Sequence, residues 1–145
     1  MTFDDCLRKG LISRAKPDEH RVKGEFEVFA KFLKKAGGLL EPDYYDVSFL
    51  LSYTSMFHSA RALVYMNGFT ERSHACLALF LLEKYRENAA IYDLANALDS
   101  YRRTRHLIQY SGEGCSEADA IQALLDAGKL LEAARVEAVR LESDT

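Results

Sequence analysis

Apolar residues recur every three or four positions along most of the chain, which is the spacing of amphipathic helices. The longest apolar stripe lies near the middle of the sequence. It comprises Phe49, Tyr53, Phe57, Ala60 and Val64. Further apolar residues widen this stripe, so the helix that carries it is predicted to be the most buried one.

Turn and cap residues separate the apolar stripes from one another. The predicted helices occupy residues 2–14 and 19–36, and the later ones begin at Pro42, Thr70, Asn88 and Ser116. No segment alternates apolar and polar residues for long enough to predict a strand. We therefore predict an all-α, up-and-down bundle of five or six helices, formed by residues 1–145 as a single domain.

The last predicted helix carries a narrow stripe of mostly small residues, which would allow it to pack closely on a neighbour. The stripe consists of Ile121, Leu124, Ala127, Leu131, Ala134, Ala138 and Leu141. This pattern is one of two reasons to expect a homodimer.

The charge and composition of the chain limit the functions that it can be expected to have. The formal net charge is −3 and the pI is about 5.8, so any contact with RNA or DNA needs a local basic patch. No apolar run approaches the roughly 18 residues of a membrane span, and the acidic N-terminus does not resemble a signal peptide. Cys6, Cys76 and Cys115 are odd in number and far apart, which predicts unpaired thiols in the reducing cytoplasm.

The stretch at residues 101–110, YRRTRHLIQY, carries the strongest chemical signal. On a helical wheel Arg105 falls between Leu94 and Leu98, and Arg102 lies beside Leu98 and Ala95. Both arginines are therefore on the apolar stripe of their own helix. A buried guanidinium needs a carboxylate, a backbone carbonyl or a phosphate as its partner. Spacing alone favours a structural interpretation, in which cations at a helix C-terminus complement the macrodipole.

A second set of polar residues lies in the central stretch. His58 and Arg61 share one helix face and could meet His74 if the third and fourth helices form a hairpin. Histidines in such positions are more often hydrogen-bonded structural residues than ligands or bases. The sequence contains no phosphate-binding glycine loop and no His and carboxylate spacing typical of a metal site, so we expect no cofactor and no metal.

The central stretch also resembles a known family. The residues that carry the resemblance are Tyr53-x3-Phe57-x-x-Ala60-Arg61-Ala62-Leu63, Gly68-Phe69 and Ser73-His74. In this order they resemble HEPN domains, which are small helical bundles, many of them encoded beside a minimal nucleotidyltransferase. The resemblance implies a dimer and, in nuclease members, metal-independent RNA cleavage by an arginine followed four to six residues later by a histidine.

The chain departs from the nuclease motif. Arg105-x3-Gln109-Tyr110 is similar to the Arg-x3-Asp-Tyr of many relatives, but glutamine replaces the aspartate and the motif histidine is absent. Proton transfer near neutral pH is suited to histidine and not to glutamine or an ordinary tyrosine. We therefore expect a non-catalytic module that binds nucleotide or RNA phosphate and works with a nucleotidyltransferase in a toxin–antitoxin-like system.

In this hypothesis Arg105 holds the phosphate, Arg102 supports it and Tyr110 lies beside them. The first alternative is a metal-independent endoribonuclease that uses Arg105 with His106 or Tyr110. The second is a structural or protein-interaction dimer whose arginines pair with carboxylates across the interface.

Overall fold

The computed structural model of the protein describes residues 1–143 and confirms the predicted helical bundle. It contains six helices and one two-stranded antiparallel sheet within those residues. The elements are α1 (Phe3–Arg8), β1 (Ile12–Arg14), α2 (Glu19–Gly38), α3 (Tyr45–Met66), β2 (Phe69–Glu71), α4 (His74–Lys84), α5 (Ala89–Ser111) and α6 (Glu117–Ser143).

Helix α3 is the centre of the bundle and packs against α2, α4, α5, α6 and β2. Its predicted stripe is confirmed, because Phe49, Tyr53, Phe57, Ala60 and Val64 are all almost fully buried. It carries more buried residues than any other described helix. Within residues 1–143, no helix is both long enough and apolar enough to cross a membrane.

Small residues allow α2, α3 and α6 to approach one another. Buried serines of α3 face α2, where the Ser48 and Ser55 hydroxyls donate to the Ala36 and Phe29 carbonyl oxygens at 2.8 Å and 3.1 Å. On α6, Ala127 and the other alanines of the predicted stripe are buried inside the protomer, and α3 is the main neighbour of this helix. The alanines of the stripe therefore pack inside the protomer, whereas Ile121 at its start is 38% exposed.

Residues 2–14 are predicted to form one helix, but in the structure they contain a short helix, a turn and a strand. Helix α1 ends at Arg8, Gly10 turns the chain with a φ of +70°, and β1 follows. Strand β1 pairs with β2 in the register Ile12 with Glu71 and Arg14 with Phe69. Each strand has three residues, which is too short for an alternating pattern to be visible in the sequence.

Three predicted helix boundaries are also wrong. Thr70 belongs to β2, so α4 begins four residues later, where the Ser73 side chain accepts a hydrogen bond from the Cys76 amide at 3.2 Å. Helix α3 begins at Tyr45 and not at Pro42, because Asp43 adopts a φ of +66° that interrupts a helix. Helix α2 continues through Gly37 and ends at Gly38.

The expectation of unpaired cysteines is wrong for two of the three. Cys6 in α1 and Cys76 in α4 form a disulfide, with their Cα atoms 5.8 Å apart, and Cys115 is free. Both paired residues are fully buried. The 70 residues between them concealed the pair in the sequence, whereas in the fold α1 lies against the first turns of α4.

Candidate functional site

A cleft rich in arginine lies between the first turn of α4 and the C-terminal half of α5, and we call it the arginine cleft. Its volume of about 620 Å³ is within the range of small-ligand sites. The residues that line it are Ser73, His74, Ala75, Arg102, Arg103, Arg105, His106 and Leu107.

Of the three arginines that line the cleft, Arg105 is the one with no hydrogen bond or ion pair among residues 1–143. Its Nε is buried and, among residues 1–143, no acceptor reaches it. The guanidinium lies over the Tyr53 ring, with Cζ 5.2 Å from the ring centroid, which is a cation–π arrangement. The predicted position of Arg105 on the apolar stripe therefore corresponds to a contact with the core. Because this guanidinium lines the cleft and has no carboxylate partner among the described residues, an anionic ligand can supply its counter-charge.

Arg102 and Arg103 share one carboxylate. Arg102 Nη2 lies 3.2 Å from Asp99 Oδ1, and Arg103 Nη2 lies 2.7 Å from Asp99 Oδ2. Two guanidinium groups thus bind a single negative charge, and Arg105 adds a third positive charge nearby. The cleft is electropositive although the chain as a whole is acidic.

His74, the first residue of α4, extends the cleft beyond the arginines. Its Nδ1 lies 2.7 Å from the Tyr53 hydroxyl, and its ring stacks on Phe57 with 3.8 Å between the centroids. Burial, and next the positive charge of Arg105, lowers the pKa of His74 below its ordinary value. The imidazole is consequently neutral at pH 7.

The start of α4 contributes a further preference for anions. Ser73 caps the helix and satisfies the Cys76 amide, whereas a helix has no internal acceptor for its other first-turn amides. These amides and the positive end of the helix dipole favour an anion beside Ser73 and Ala75, which line the cleft. The arginines and the N-terminus of α4 therefore both favour an anion in the arginine cleft.

The sequence placed His74 in a polar cluster with His58 and Arg61, and the structure brings all three around Phe57. Arg61 Cζ lies 4.6 Å from the Phe57 centroid, and the His58 ring meets Phe57 edge-on at 5.1 Å. Beyond Phe57 their partners differ. Arg61 Nε donates to Glu71 Oε1 at 2.6 Å, and His58 stacks on Phe29 at 3.9 Å.

His58 is held as a neutral ring in this aromatic environment. Burial, followed by the charges of Arg61 and His74, lowers the pKa of His58 to about 4. Its Nδ1 is buried without a hydrogen-bond partner in the described residues. Of the predicted polar cluster, only His74 lines the arginine cleft.

The remaining predicted site residues lie near the cleft entrance. His106 lines the cleft, and its ring contacts Tyr110 with 4.7 Å between centroids. Tyr110 is 72% exposed and lies outside the cleft wall. The structure thus brings Arg102, Arg105 and His106 together and leaves Tyr110 on the neighbouring surface.

Sequence reasoning missed His74, Ser73 and Ala75 as cleft residues. The signal that could have identified them is the cap residue Ser73, because these three residues form the cap and first turn of a helix that begins there. The predicted cap at Thr70 concealed this. In the described part of the chain, no three His, Cys, Asp or Glu side chains gather closely enough to hold a metal ion.

Comparison with known protein families gives a match for most of the chain. The model of the HEPN domain family matches residues 30–137, which is more than half of the chain and includes every residue of the arginine cleft. A comparison with curated proteins finds no match for this sequence.

Proposed function

The chain belongs to the HEPN domain family, and we propose that it uses the arginine cleft to bind the phosphate groups of nucleotides or RNA. The observation that carries this proposal is the state of Arg105. Its guanidinium lines the cleft and has no ion pair or hydrogen bond among residues 1–143, whereas the two other cleft arginines share one carboxylate. A phosphate supplies the acceptor oxygens and the negative charge that this arrangement lacks.

In the bound state Arg105 provides the central charge-assisted hydrogen bonds. Arg102 and Arg103 retain Asp99 and offer their remaining N–H groups, since a guanidinium has five donors. The α4 terminus approaches the phosphate from the other side of the cleft. Ligand binding is therefore expected to need Arg105 more than either neighbouring arginine.

We further propose that the module does not cleave its ligand. No histidine follows Arg105 at a distance of four to six residues, and Tyr110 lies outside the cleft wall. His106 directly follows Arg105 and contacts Tyr110, so it is oriented towards the surface aromatic residue. These features support binding without turnover.

The proposed partners are a second copy of the chain and a separate nucleotidyltransferase, in a toxin–antitoxin-like system. The likeness to HEPN domains supports both partners. For the homodimer, the buried alanines of the α6 stripe provide no surface, but Val136 and Val139 on the same helix are 63% and 61% exposed. They offer an apolar area that a second copy could cover.

A second candidate function is metal-independent RNA cleavage. The observation that favours it is the position of His74, which brings an imidazole into the same cleft as Arg105 from a different helix. Histidine can transfer protons near neutral pH, and arginine can stabilise the charge of a phosphorane transition state.

Incubation with labelled RNA in EDTA separates the candidates. The binding module retains RNA uncut, and the Arg105→Ala variant loses retention while Arg86→Ala, a surface arginine paired with Glu83, keeps it. Cleavage that disappears in Arg105→Ala would establish the nuclease instead. Neither retention nor cleavage, combined with a weaker dimer in Arg105→Ala, would indicate a protein-interaction role.

A further inference from the structure

Tyr53 lies beneath the arginine cleft and contacts two of its residues at once. Its side chain is 2% exposed, its hydroxyl oxygen lies 2.7 Å from His74 Nδ1, and its ring supports the Arg105 guanidinium. It belongs to α3, whereas His74 and Arg105 belong to α4 and α5. One core side chain therefore connects both walls of the cleft.

The direction of the hydrogen bond between Tyr53 and His74 follows from burial. Burial raises the pKa of Tyr53 to about 12, so the phenol keeps its proton at neutral pH. A buried hydroxyl proton needs an acceptor, and His74 Nδ1 is the one within reach among the described residues. The phenol donates, Nδ1 is unprotonated, and the single proton of the neutral ring resides on Nε2.

The charged groups around His74 oppose a second proton on the ring. Arg105 and Arg102 act from α5, and Arg61 acts from α3; Glu71 on β2 acts in the opposite sense. Glu71 is already engaged, because Arg61 Nε donates to it at 2.6 Å. Burial first, and then the net positive field of these groups, lowers the pKa of His74 below its ordinary value.

We propose that Tyr53 is a positioning residue that fixes His74 as its Nε2-protonated form, and that His74 thereby donates a hydrogen bond to the phosphate in the arginine cleft. This inference rests on the proposed phosphate binding and adds a fourth side chain to it. With Nδ1 bonded to Tyr53, Nε2 is the ring nitrogen that remains to donate a hydrogen bond, and His74 lines the cleft.

The proposed form of His74 also bears on the choice between binding and cleavage. A ring nitrogen that carries a proton can donate to a phosphate oxygen, but it cannot accept the proton of a ribose 2′-hydroxyl. Tyr53 therefore adapts His74 to recognition of an oxyanion and makes it unsuitable as a general base at neutral pH.

The first test is a ¹⁵N NMR measurement on the histidine rings of the unmodified protein at pH 7. The proposal predicts an Nε2-protonated, neutral His74 whose Nδ1 signal reports a strong hydrogen bond. Tyr53→Phe keeps the aromatic ring beneath Arg105 but removes the hydroxyl. In this variant we expect a mixture of the two neutral tautomers of His74. An Nδ1-protonated or a charged His74 in the unmodified protein would overturn the proposal.

The second test is titration with inorganic phosphate. Tyr53→Phe should bind about threefold to tenfold more weakly, the usual size of one lost hydrogen bond. In His74→Gln the side-chain amide can donate to phosphate without any help from Tyr53. Adding Tyr53→Phe to His74→Gln should therefore cause little further loss of phosphate affinity. An equal loss in both backgrounds would show that Tyr53 acts independently of His74 and would refute the proposal.

The same titration separates this inference from the proposed function. If Arg105→Ala abolishes phosphate binding while Tyr53→Phe binds as the unmodified protein does, the phosphate site stands and the role of Tyr53 is wrong. If the unmodified protein does not bind phosphate and Arg105→Ala behaves identically, both proposals fail.

Discussion

Arg61 and Glu71 form an ion pair that ties the middle of α3 to β2. Arg61 Nε lies 2.6 Å from Glu71 Oε1, and the side chains are 32% and 2% exposed. Glu71 is the last residue of β2, two positions before the Ser73 cap. The pair therefore helps to fix where α4 starts and, with it, where His74 enters the arginine cleft.

Replacing Arg61 with alanine should destabilise the fold, because the buried Glu71 carboxylate would lose its counter-charge. Breaking a fully buried pair usually costs about 3–5 kcal/mol, and the partial exposure of Arg61 reduces our expectation to about 2 kcal/mol. Urea denaturation measures this loss of the free energy of unfolding. Arg86→Ala removes a surface pair and should cost less than about 1 kcal/mol; equal losses in the two variants would contradict this account.

Acid should destabilise the protein through His58. Its pKa is lowered from 6.5 to about 4, so the unfolded chain takes up the proton first as the pH falls. The contribution of His58 to stability is therefore present above about pH 6.5 and is lost as the pH falls towards 4. His58→Phe keeps a ring against Phe29 but cannot titrate, so it should lack this contribution.

The check on His58 is the free energy of unfolding of both proteins at pH 7 and pH 5. We expect the difference between them to change by about 2 kcal/mol in favour of His58→Phe at the lower pH. His74 and the carboxylates are common to both proteins and cancel. A difference that does not depend on pH would show that His58 is not held neutral by the fold.

Ala127→Leu should destabilise the protomer and not its assembly with a second copy. Ala127 is fully buried on α6, the helix that packs mainly against α3, and adding a larger side chain to such a site costs about 1–3 kcal/mol. The control is Val136→Ala on the exposed part of the same helix. Chemical denaturation measures the stability of the protomer, and sedimentation measures the oligomeric state. A change of oligomeric state without a loss of stability would place the alanine stripe at a dimer interface.

Much of the fold could be predicted because a long amphipathic helix has apolar residues at a regular spacing of three or four positions. The α3 stripe and the Asn88 cap of α5 are confirmed, since each depends on local sequence alone. The β1–β2 ribbon and the Cys6–Cys76 pair depend on contacts between distant segments. Such contacts leave no periodic signal in a single sequence.

The site could be predicted only in part for the same reason. The helical wheel placed Arg102 and Arg105 on the inner face of α5, and both line the cleft. The wheel could not show that Asp99 forms ion pairs with Arg102 and Arg103. Nor could it show that Arg105 has no ion pair among residues 1–143. Nor could it bring His74 opposite them, because that requires the true start of α4.

The most direct test of phosphate binding by the arginine cleft is a calorimetric titration of three proteins with inorganic phosphate and with a short single-stranded RNA. The proteins are the unmodified chain, Arg105→Ala and the surface control Arg86→Ala. We predict that Arg105→Ala binds both ligands about tenfold to a hundredfold more weakly, the usual effect of lost charge-assisted hydrogen bonds, and that Arg86→Ala binds as the unmodified protein does. Equal affinities in all three proteins, or no binding by the unmodified protein, would contradict the account.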